Sequence, residues 1–455
     1  MARPNLVLFL TDDHGRWALG CEGNPEVRSP SIDHLAATGV RCSHAFTPTP
    51  VCSPARACVM TGLIASRHGI HDWLQEQQPE VGERDWLAGL RTLPQWLEGV
   101  GYRCMLSGKW HLGRSEHPQR GFHDTFAIGQ PQGGHAGRQR YSRQGVVEYR
   151  TGFKTEVVTQ EAVRLLRQRR GEEPFFLCVG YIGTHTPWAG HPERLVEAYR
   201  RRALTTFADH PPEHADGGRA PGGLTQQEAL AQYYAAVTHI DEGVGRVLDE
   251  LQSQGLRDRT MVVYAADHGL ALGQHGVWGK GNATKPKNLY EASIRVPLVY
   301  NHPGSLPEGR VVDSLVDHCD LFCTLLDTAG VQGWRDDPQY PGRSYLPQLR
   351  GEPQTWEDLY FGEYGPLRCV RSRTHKLVRR YGHAPDELYD LAADPGETRN
   401  VLEEPGSAPV TATLTTRLDE FFSRHEDPER SGLRFDPDSR GVTAEHVRRL
   451  SQGQS

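Results

Sequence analysis

Residues 5–13 read NLVLFLTDD, and this stretch decides the fold. Five apolar residues follow one another from Leu6 to Leu10 without alternation, and two aspartates end the run. An unbroken apolar run is typical of a parallel strand that is buried on both faces of a sheet. Two more runs have the same character, PFFLCVGYI at 174–182 and TMVVYAA at 260–266. The chain is therefore expected to build a buried, mostly parallel sheet.

Helical patterns lie between these strands. Residues 92–99 resemble a short helix, and residues 155–170 place apolar side chains on one face. A long amphipathic pattern covers 226–254, and Gly255 follows it as a candidate cap. Strands that alternate with helices predict an α/β fold, with a large, mostly parallel or mixed sheet sandwiched by helices.

The character of the sequence changes after about residue 345. Short segments separated by turn residues predict a small antiparallel sheet: DLYFGEY, LRCVRSRTHKLVRRY and DELYDL. We therefore divide the chain into an α/β catalytic domain, 1–345, and a smaller C-terminal subdomain, 346–455. The subdomain ends in a polar tail from residue 425 that we expect to be loosely held. Residues 208–223, rich in Pro, Gly and charge, predict a surface loop.

Composition narrows the class of protein. The 455 residues include 51 Lys and Arg against 57 Asp and Glu, which does not favour a nucleic-acid partner. Nine cysteines without tight spacing argue against a disulfide framework. The N-terminus lacks the pattern of a signal peptide, and no segment approaches the roughly 20 apolar residues of a membrane span. We expect a cytoplasmic protein with no membrane partner, and leave open a trimmed leader and the oligomeric state.

Acidic pairs stand directly after two of the buried strands. Asp12 and Asp13 follow the first strand, and Asp267 and His268 follow the third. Ligands of open parallel sheets bind beyond the carboxyl ends of the strands, so these side chains are expected to meet. Three carboxylates in one pocket repel one another unless a cation lies between them. Hard oxygen ligands favour Ca²⁺ or Mg²⁺, and the softer imidazole of His268 leaves the identity of the metal open. A helix cap or a solvated loop would explain one acidic pair alone.

Cationic side chains lie near the same strand ends. Lys109 and His111 are two residues apart, so on an extended segment they would point to the same face. Together with Arg56 and Lys280 they predict a local site for an anionic group in a chain that is acidic overall. His185 follows the second buried run, although a single histidine is more often structural.

Residues 51–62, VCSPARACVMTG, raise the question of what Cys52 does beside Arg56. By itself this cysteine could be an activated thiolate, a metal ligand or a buried apolar residue. Its setting is similar to the Cys-x-Pro-x-Arg signature of the formylglycine-dependent sulfatases of the alkaline phosphatase superfamily. The resemblance covers residues 4–402 and includes NLVLFLTDD, GKWHLG at 108–113, DHG at 267–269, Gly279-Lys280 before YEASIRVP at 290–297, ELYDL at 387–391 and DPGE at 394–397.

The resemblance implies an alkaline-phosphatase-like fold and a chemistry for residue 52. A maturation enzyme would convert Cys52 to formylglycine, an aldehyde whose hydrated form attacks the sulfur of a sulfate ester. The second hydroxyl of that hydrate then expels sulfate by C–O cleavage and restores the aldehyde. By position, the metal ligands would be Asp12, Asp13, Asp267, His268 and residue 52.

The resemblance also implies roles for the remaining side chains. Arg56 would hold the hydroxyl of residue 52, and Lys109 and Lys280 would bind the sulfate oxygens. His111 would assist deprotonation of the second hydroxyl, and His185 would be the candidate general acid at the leaving oxygen, a role shared with Lys280. Three positions depart from the commoner pattern of the family: Ala55 in place of Ser, Leu63 in place of Arg, and His268 in place of Asn.

The predicted function is hydrolysis of a sulfate ester, of a carbohydrate first and of an aryl alcohol second. A formylglycine-dependent phosphonate monoester or phosphodiester hydrolase is one alternative, since it shares these motifs. A non-catalytic anion-binding protein with unconverted Cys52 is another. Trp73, Trp188 and His191 are candidates for the wall of the substrate pocket, with burial in the core as the alternative for the two tryptophans.

Overall fold

A ten-stranded mixed sheet forms the centre of the protein in the computed structural model, which describes residues 3–129, 133–169, 171–206 and 220–451. The spatial order of its strands is β12-β2-β11-β8-β1-β7-β3-β4-β5-β6, and β9 and β10 form a two-stranded ribbon. In chain order the strands up to β12 are β1 Asn5–Thr11, β2 Val40–Phe46, β3 Arg103–Gly108, β4 Asp124–Ile128, β5 Arg138–Arg143, β6 Val146–Thr151, β7 Phe175–Tyr181, β8 Thr260–Ala266, β9 Ala271–Leu272, β10 Trp278–Gly279, β11 Leu298–Asn301 and β12 Arg310–Asp317.

The three strands predicted from apolar runs lie side by side at the middle of this sheet. β1 pairs in parallel with β7 on one side and with β8 on the other, and every residue of the three strands is buried. Burial on both faces explains why these strands lack alternation. The sheet is mixed because β11, β5 and β6 run antiparallel to their neighbours.

Helices cover both faces of the sheet, as predicted. The helices at 92–99, 155–170 and 226–254 are confirmed as α5, α6 and α8, with ends that differ by one or two residues. On one face α1 and α7 pack against the long helix α8, and on the other α2 packs against α5 and α10. The α-helices are α1 Pro30–Ala37, α2 Cys52–Thr61, α3 Ala65–His68, α4 Pro79–Gly82, α5 Leu93–Glu98, α6 Lys154–Gln168, α7 Glu193–Arg200, α8 Gln226–Ser253, α9 Glu291–Ile294, α10 His318–Thr328, α11 Leu346–Leu349, α12 Ala408–His425 and α13 Ala444–Ser451.

A separate antiparallel sheet of four strands follows, which confirms the second predicted sheet. Its strands, β13 Tyr360–Tyr364, β14 Leu367–Arg371, β15 His375–Arg379 and β16 Glu387–Asp390, pair in simple sequence order. Helix α12 packs against β14 and β15. The division of the chain at residue 345 stays a prediction.

The polar C-terminal tail is held in place as far as residue 447, contrary to our expectation. The backbone N–H of Val442 donates to the carbonyl of Trp73 at 2.8 Å, and the N–H of Gln75 donates to the carbonyl of Val442 at 3.2 Å. Phe435, Val442 and Val447 are buried. A few apolar anchors therefore fix a segment whose average composition is polar.

Two further predictions concern the surface loop at 208–223 and membrane-spanning segments. Of the predicted loop 208–223, residues 208–219 lie outside the described residues, and Pro221–Gly223 forms a short 3₁₀ turn. Within the part of the chain that the structure describes, none of the helices combines the length and the apolar character that crossing a membrane would take.

Candidate active site

The two acidic pairs meet where β1 and β8 end. Thr11 pairs with Ala266 in the last register position of these strands, so the residues that follow are neighbours. The N–H of Asp267 donates to the carbonyl of Thr11 at 2.9 Å, and the N–H of Asp13 donates to Oδ1 of Asp267 at 3.2 Å. Asp13 has a φ of 53°, in the left-handed region that L-residues rarely adopt. The chain turns sharply there, and such strain is common at functional sites.

Cys52 lies at the first position of α2 and faces these acidic pairs. Its sulfur is 2.9 Å from Nζ of Lys280 and 3.5 Å from Nε2 of His268. Burial alone would raise the pKa of the thiol, but the ammonium groups of Lys109 and Lys280 bring this pKa well below its usual value. The start of a helix also favours a negative charge. The site therefore stabilises an anion at residue 52 and in the space beside it.

Three buried cations surround Cys52 and pair with the three carboxylates. Nζ of Lys109 lies 2.5 Å from Oδ2 of Asp12, and Nζ of Lys280 lies 2.5 Å from Oδ1 of Asp13. Arg56, one helical turn after Cys52, donates from Nε to Oδ2 of Asp267 at 2.9 Å. Its Nη1 donates to the carbonyl of Lys109 at 3.1 Å. These pairings hold every charged side chain in one orientation.

The ligand atoms fit a divalent cation. Asp12, Cys52, Asp267 and His268 each offer one atom within 4.8 Å of the others, and so does an overlapping set of Asp12, Asp13, Cys52 and His185. Oδ1 of Asp12 is buried without a hydrogen-bond partner among the described residues. Burial raises the pKa of Asp267 to about 7, and repulsion from the neighbouring Asp12 adds to this shift. A cation between them would remove that repulsion.

Both predicted catalytic histidines lie close enough to Cys52 to lower the pKa of its thiol. The geometric reason we gave for His111 is wrong, because β3 ends at Gly108 and His111 has a φ of 63°. The turn, rather than an extended segment, brings its ring beside the site, where Nε2 lies 2.9 Å from the carbonyl of Leu74. For His185, burial acts to lower the pKa, but the carboxylates of Asp13 and Asp12 raise it overall.

The three candidates for the pocket wall differ in how far their side chains are exposed. Trp188 is 1% exposed, and its Nε1 donates to the carbonyl of Thr184 at 3.2 Å, so its ring belongs to the core. His191 is buried and stacks on His135, with ring centroids 4.7 Å apart. Trp73 is only partly buried and lies beside Gly441 of the C-terminal segment. Of the three, Trp73 retains an accessible ring.

Sequence reasoning missed three buried residues that hold this site. The hydroxyl of Thr184 donates to the carbonyl of Asp12. The hydroxyl of Tyr233 donates to the carbonyl of Asp13 at 2.6 Å and accepts from the N–H of Gly15 at 3.0 Å. Lys154, at the start of α6, lies near Lys109 and Asp12. Thr184 stands next to His185 in the segment after β7, Tyr233 lies within the long helix α8, and Lys154 is the first residue of α6. No local pattern marks any of the three as part of the site.

Comparison with known proteins places these residues in a family. Residues 4–331 match the family model described as Sulfatase, and residues 273–424 match the model described as N-sulphoglucosamine sulphohydrolase, C-terminal. An N-acetylglucosamine-6-O-sulfatase of Bacteroides thetaiotaomicron is 24% identical over 506 residues, which covers 93% of this chain and 87% of that protein.

Solved structures share the fold across nearly the whole chain. A protein in complex with its substrate D-glucosamine-2-N,6-O-disulfate aligns with a TM-score of 0.81 at 23% identity and covers 96% of this chain and 100% of its own. The phosphonate monoester hydrolase of Agrobacterium radiobacter aligns with a TM-score of 0.72 at 22% identity, over 93% and 96% of the two chains. Because the Sulfatase model spans more than two thirds of the chain and includes every residue of the site described above, this protein belongs to the sulfatase family and is a sulfuric ester hydrolase.

Proposed function

We propose that this sulfatase removes sulfate from a sulfated carbohydrate, with residue 52 as formylglycine and Ca²⁺ in the acidic cluster. The observation that carries the proposal is the position of Cys52. It lies at a helix start, 2.9 Å from Nζ of Lys280, in a buried pocket where three cations meet three carboxylates. Such a pocket suits a tetrahedral anion with a nucleophile directly beneath it.

The modification explains why a cysteine stands at this position. A formylglycine-generating enzyme would act on Cys52, and the resulting hydrated aldehyde supplies a hydroxyl nucleophile that can also release sulfate without attack by water. Conversion takes place on the unfolded or partly folded chain in this proposal, since the Cys52 side chain is only 2% exposed in the folded protein.

The chain's own residues then orient and neutralise the sulfate. Lys109 and Lys280 flank residue 52 and offer ammonium groups to the sulfate oxygens, while Arg56 holds the side chain of residue 52. His185 carries a raised pKa, which suits a general acid that protonates the leaving oxygen. His111, whose Nε2 lies 2.9 Å from the carbonyl of Leu74, would take the proton released when sulfate departs.

The acidic cluster supports a hard cation. Asp12, Asp13 and Asp267 supply oxygen ligands, which Ca²⁺ and Mg²⁺ prefer, and His268 adds one nitrogen. When bound, the cation would lower the pKa of the nucleophilic hydroxyl and neutralise charge on the sulfate. Ca²⁺ is our first candidate because it tolerates an irregular set of six to eight ligands.

A 6-O-sulfated hexosamine is the first substrate to test. The support comes from the printed names of relatives: an N-acetylglucosamine-6-O-sulfatase and a structure that holds a 6-O-sulfated glucosamine. The partly exposed ring of Trp73 is consistent with a sugar, because aromatic faces pack well against apolar sugar faces.

The decisive experiment compares kcat/KM for N-acetylglucosamine 6-sulfate, an aryl sulfate and the matching aryl phosphonate monoester. The protein is first shown by mass spectrometry of the Cys52 peptide to be converted. We expect the sugar sulfate to be preferred. Preference for the phosphonate would favour the alternative hydrolase, whose fold this chain also shares. Turnover of none of the three by converted protein would mean that the pocket requires a different natural alcohol, whereas a Cys52 that is never converted would favour the anion-binding protein.

A further inference from the structure

Lys154 is a buried cation without an evident structural reason. Its side chain is 0% exposed, and Nζ has no hydrogen-bond partner among the described residues. Transfer of an unpaired ammonium group from water into a protein interior is costly, so such groups are rare unless they serve a function. Burial and the nearby charge of Lys109 lower the pKa of Lys154 to about 8.

The position of Lys154 in the fold increases this cost. It is the first residue of the 15-residue helix α6, where the helix dipole disfavours a positive charge. Its backbone N–H donates to the carbonyl of His135 at 2.8 Å. This hydrogen bond holds the backbone of Lys154 in place while its side chain is buried. Burial, the helix dipole and the neighbouring Lys109 all act against the charge, and only Asp12 acts in its favour.

The helix start lies at the same edge of the sheet as the catalytic residues. The hydroxyl of Ser107, near the end of β3, donates to the carbonyl of Val158, one turn after Lys154. Thr155 lies beside Gly183, which follows β7. Lys154 is thus placed directly beyond the strand ends that carry Lys109 and lead to His185.

The charges of the site explain what Lys154 adds. Asp12, Asp13 and Asp267 are each paired with one of Lys109, Lys280 and Arg56, so these six side chains balance. Lys154 adds one positive charge that no carboxylate in the cluster neutralises. Once residue 52 is formylglycine it carries no thiolate, and an anion bound beside it would supply the missing negative charge.

We propose that Lys154 is a positioning residue of the sulfate site: its enclosed charge strengthens sulfate binding through the electric field and through Lys109, without touching the sulfate. This inference rests on the proposed sulfate site at Cys52. Its signature is a set of opposite effects. Removing the charge should weaken binding of an anion, strengthen binding of a divalent cation at Asp12, and stabilise the fold.

The test compares wild type with Lys154→Met, an apolar side chain of similar length. We expect the affinity for inorganic sulfate, measured by isothermal titration calorimetry, to fall by at least about tenfold. One pair of unit charges about 10 Å apart at an effective dielectric constant of about 20 accounts for about a tenfold change, and sulfate carries two negative charges. In the same protein the affinity for Ca²⁺ should rise and the Tm should stay equal or increase. Arg167→Met removes an exposed cation near the other end of α6 and should change neither affinity.

Lys154→Arg keeps the charge and provides a second measurement if the methionine variant folds poorly. Retained sulfate affinity in Lys154→Arg, with loss in Lys154→Met or Lys154→Gln, supports the proposal. Unchanged sulfate affinity in every variant, or a lower Tm with unchanged sulfate and Ca²⁺ affinities, would show a purely structural lysine. If the wild-type protein itself fails to bind sulfate, the proposed sulfate site at Cys52 is wrong, and the role of Lys154 fails with it. If wild type binds sulfate and the Lys154 variants bind it equally well, only the role of Lys154 is wrong.

Discussion

At the scale of single residues, the sulfur of Cys52 is subject to opposing effects. Burial disfavours a negative charge there, whereas Lys109, Lys280 and the helix start favour it, and the cations prevail. The sequence motif gave the identity of these residues, and the structure adds their arrangement. In the proposed function, the same field that would ionise a thiol would hold a sulfate group beside residue 52.

Replacing Cys52 by alanine should abolish turnover while leaving the metal site largely formed. Asp12, Asp13 and Asp267 keep their pairing with Lys109, Lys280 and Arg56, so we expect Ca²⁺ affinity to change less than about tenfold. By contrast, kcat/KM should fall by at least about a thousandfold, because the nucleophile is gone. Cys58→Ala is the control, since Cys58 lies on the same helix but faces His68, with its sulfur 3.6 Å from Nε2. Residual turnover in Cys52→Ala near the wild-type level would exclude residue 52 as nucleophile.

Tyr233 provides a second test at this scale. Its hydroxyl joins the carbonyl of Asp13 to the N–H of Gly15 and so holds Asp13 in its left-handed conformation. Tyr233→Phe should lower Ca²⁺ affinity about tenfold, the size typical for loss of a group that orients a metal ligand. Tyr234→Phe is the matched control, because that hydroxyl contacts Asn24 and Thr206 instead. Equal calorimetric affinities in the two variants would contradict this role.

At the scale of elements, the buried strands were predictable and the edges of the sheet were not. β1, β7 and β8 follow from apolar runs because both of their faces are covered. β2 and β12 mix polar and apolar residues, as VRCSHAF does at Val40–Phe46, and β12 contains a register irregularity between Val312 and Leu315. β12 lies at the edge of the sheet and β2 lies next to it, and both strands are buried only in part, so their patterns are weak. Likewise, Thr184 and Tyr233 reach the site from elements distant in sequence, and no local pattern records such contacts.

The contact between α1 and α8 should make stability depend on pH. Asp241 of α8 accepts from the N–H groups of Ser31 and Ile32 at 3.1 and 2.8 Å, and so caps the start of α1. Burial raises its pKa from 3.8 to about 6 despite these hydrogen bonds. Since the folded state then binds the proton more tightly than the unfolded state, this group contributes stability below about pH 4 that is lost as the pH rises through about 6.

Asp241→Asn isolates this effect. The free energy of unfolding of wild type minus that of the variant should fall between about pH 4 and pH 6, by up to about 3 kcal/mol, and stay level above about pH 7. Urea unfolding at a series of pH values measures it. Asp249→Asn, which changes an exposed carboxyl of the same helix, is the control. A difference that rises with pH would mean that the hydrogen bonds to α1 outweigh burial.

At the scale of the whole molecule, the small sheet supports the segment that follows Lys280. Nζ of Lys376 on β15 donates to the carbonyl of Leu289 at 2.6 Å, and Nη1 of Arg380 donates to the carbonyl of Lys287 at 2.8 Å. Lys287 in turn pairs with Asp72 at 2.8 Å. The orientation of the segment that follows Lys280 is therefore fixed partly by residues almost 100 positions further along the chain.

A buried ion network makes this support testable. Glu397 pairs with Lys376 and accepts from the N–H of Glu291 at 2.7 Å, and Arg371 donates to Glu291 at 3.1 Å. Among the described residues, Glu397→Ala leaves Glu291, 3.6 Å away, as the carboxylate nearest to Lys376, so we expect a loss of about 3 kcal/mol in the free energy of unfolding. Because the cost arises from an uncompensated charge, the double variant Lys376→Met, Glu397→Met should be more stable than Glu397→Ala. Urea unfolding of wild type, Lys376→Met, Glu397→Met and the double variant gives the coupling energy of the pair. A double variant no more stable than Glu397→Ala would show that Glu397 acts through its hydrogen bond to the N–H of Glu291. The segment that follows Lys280 would then be supported by backbone contacts instead of by charge.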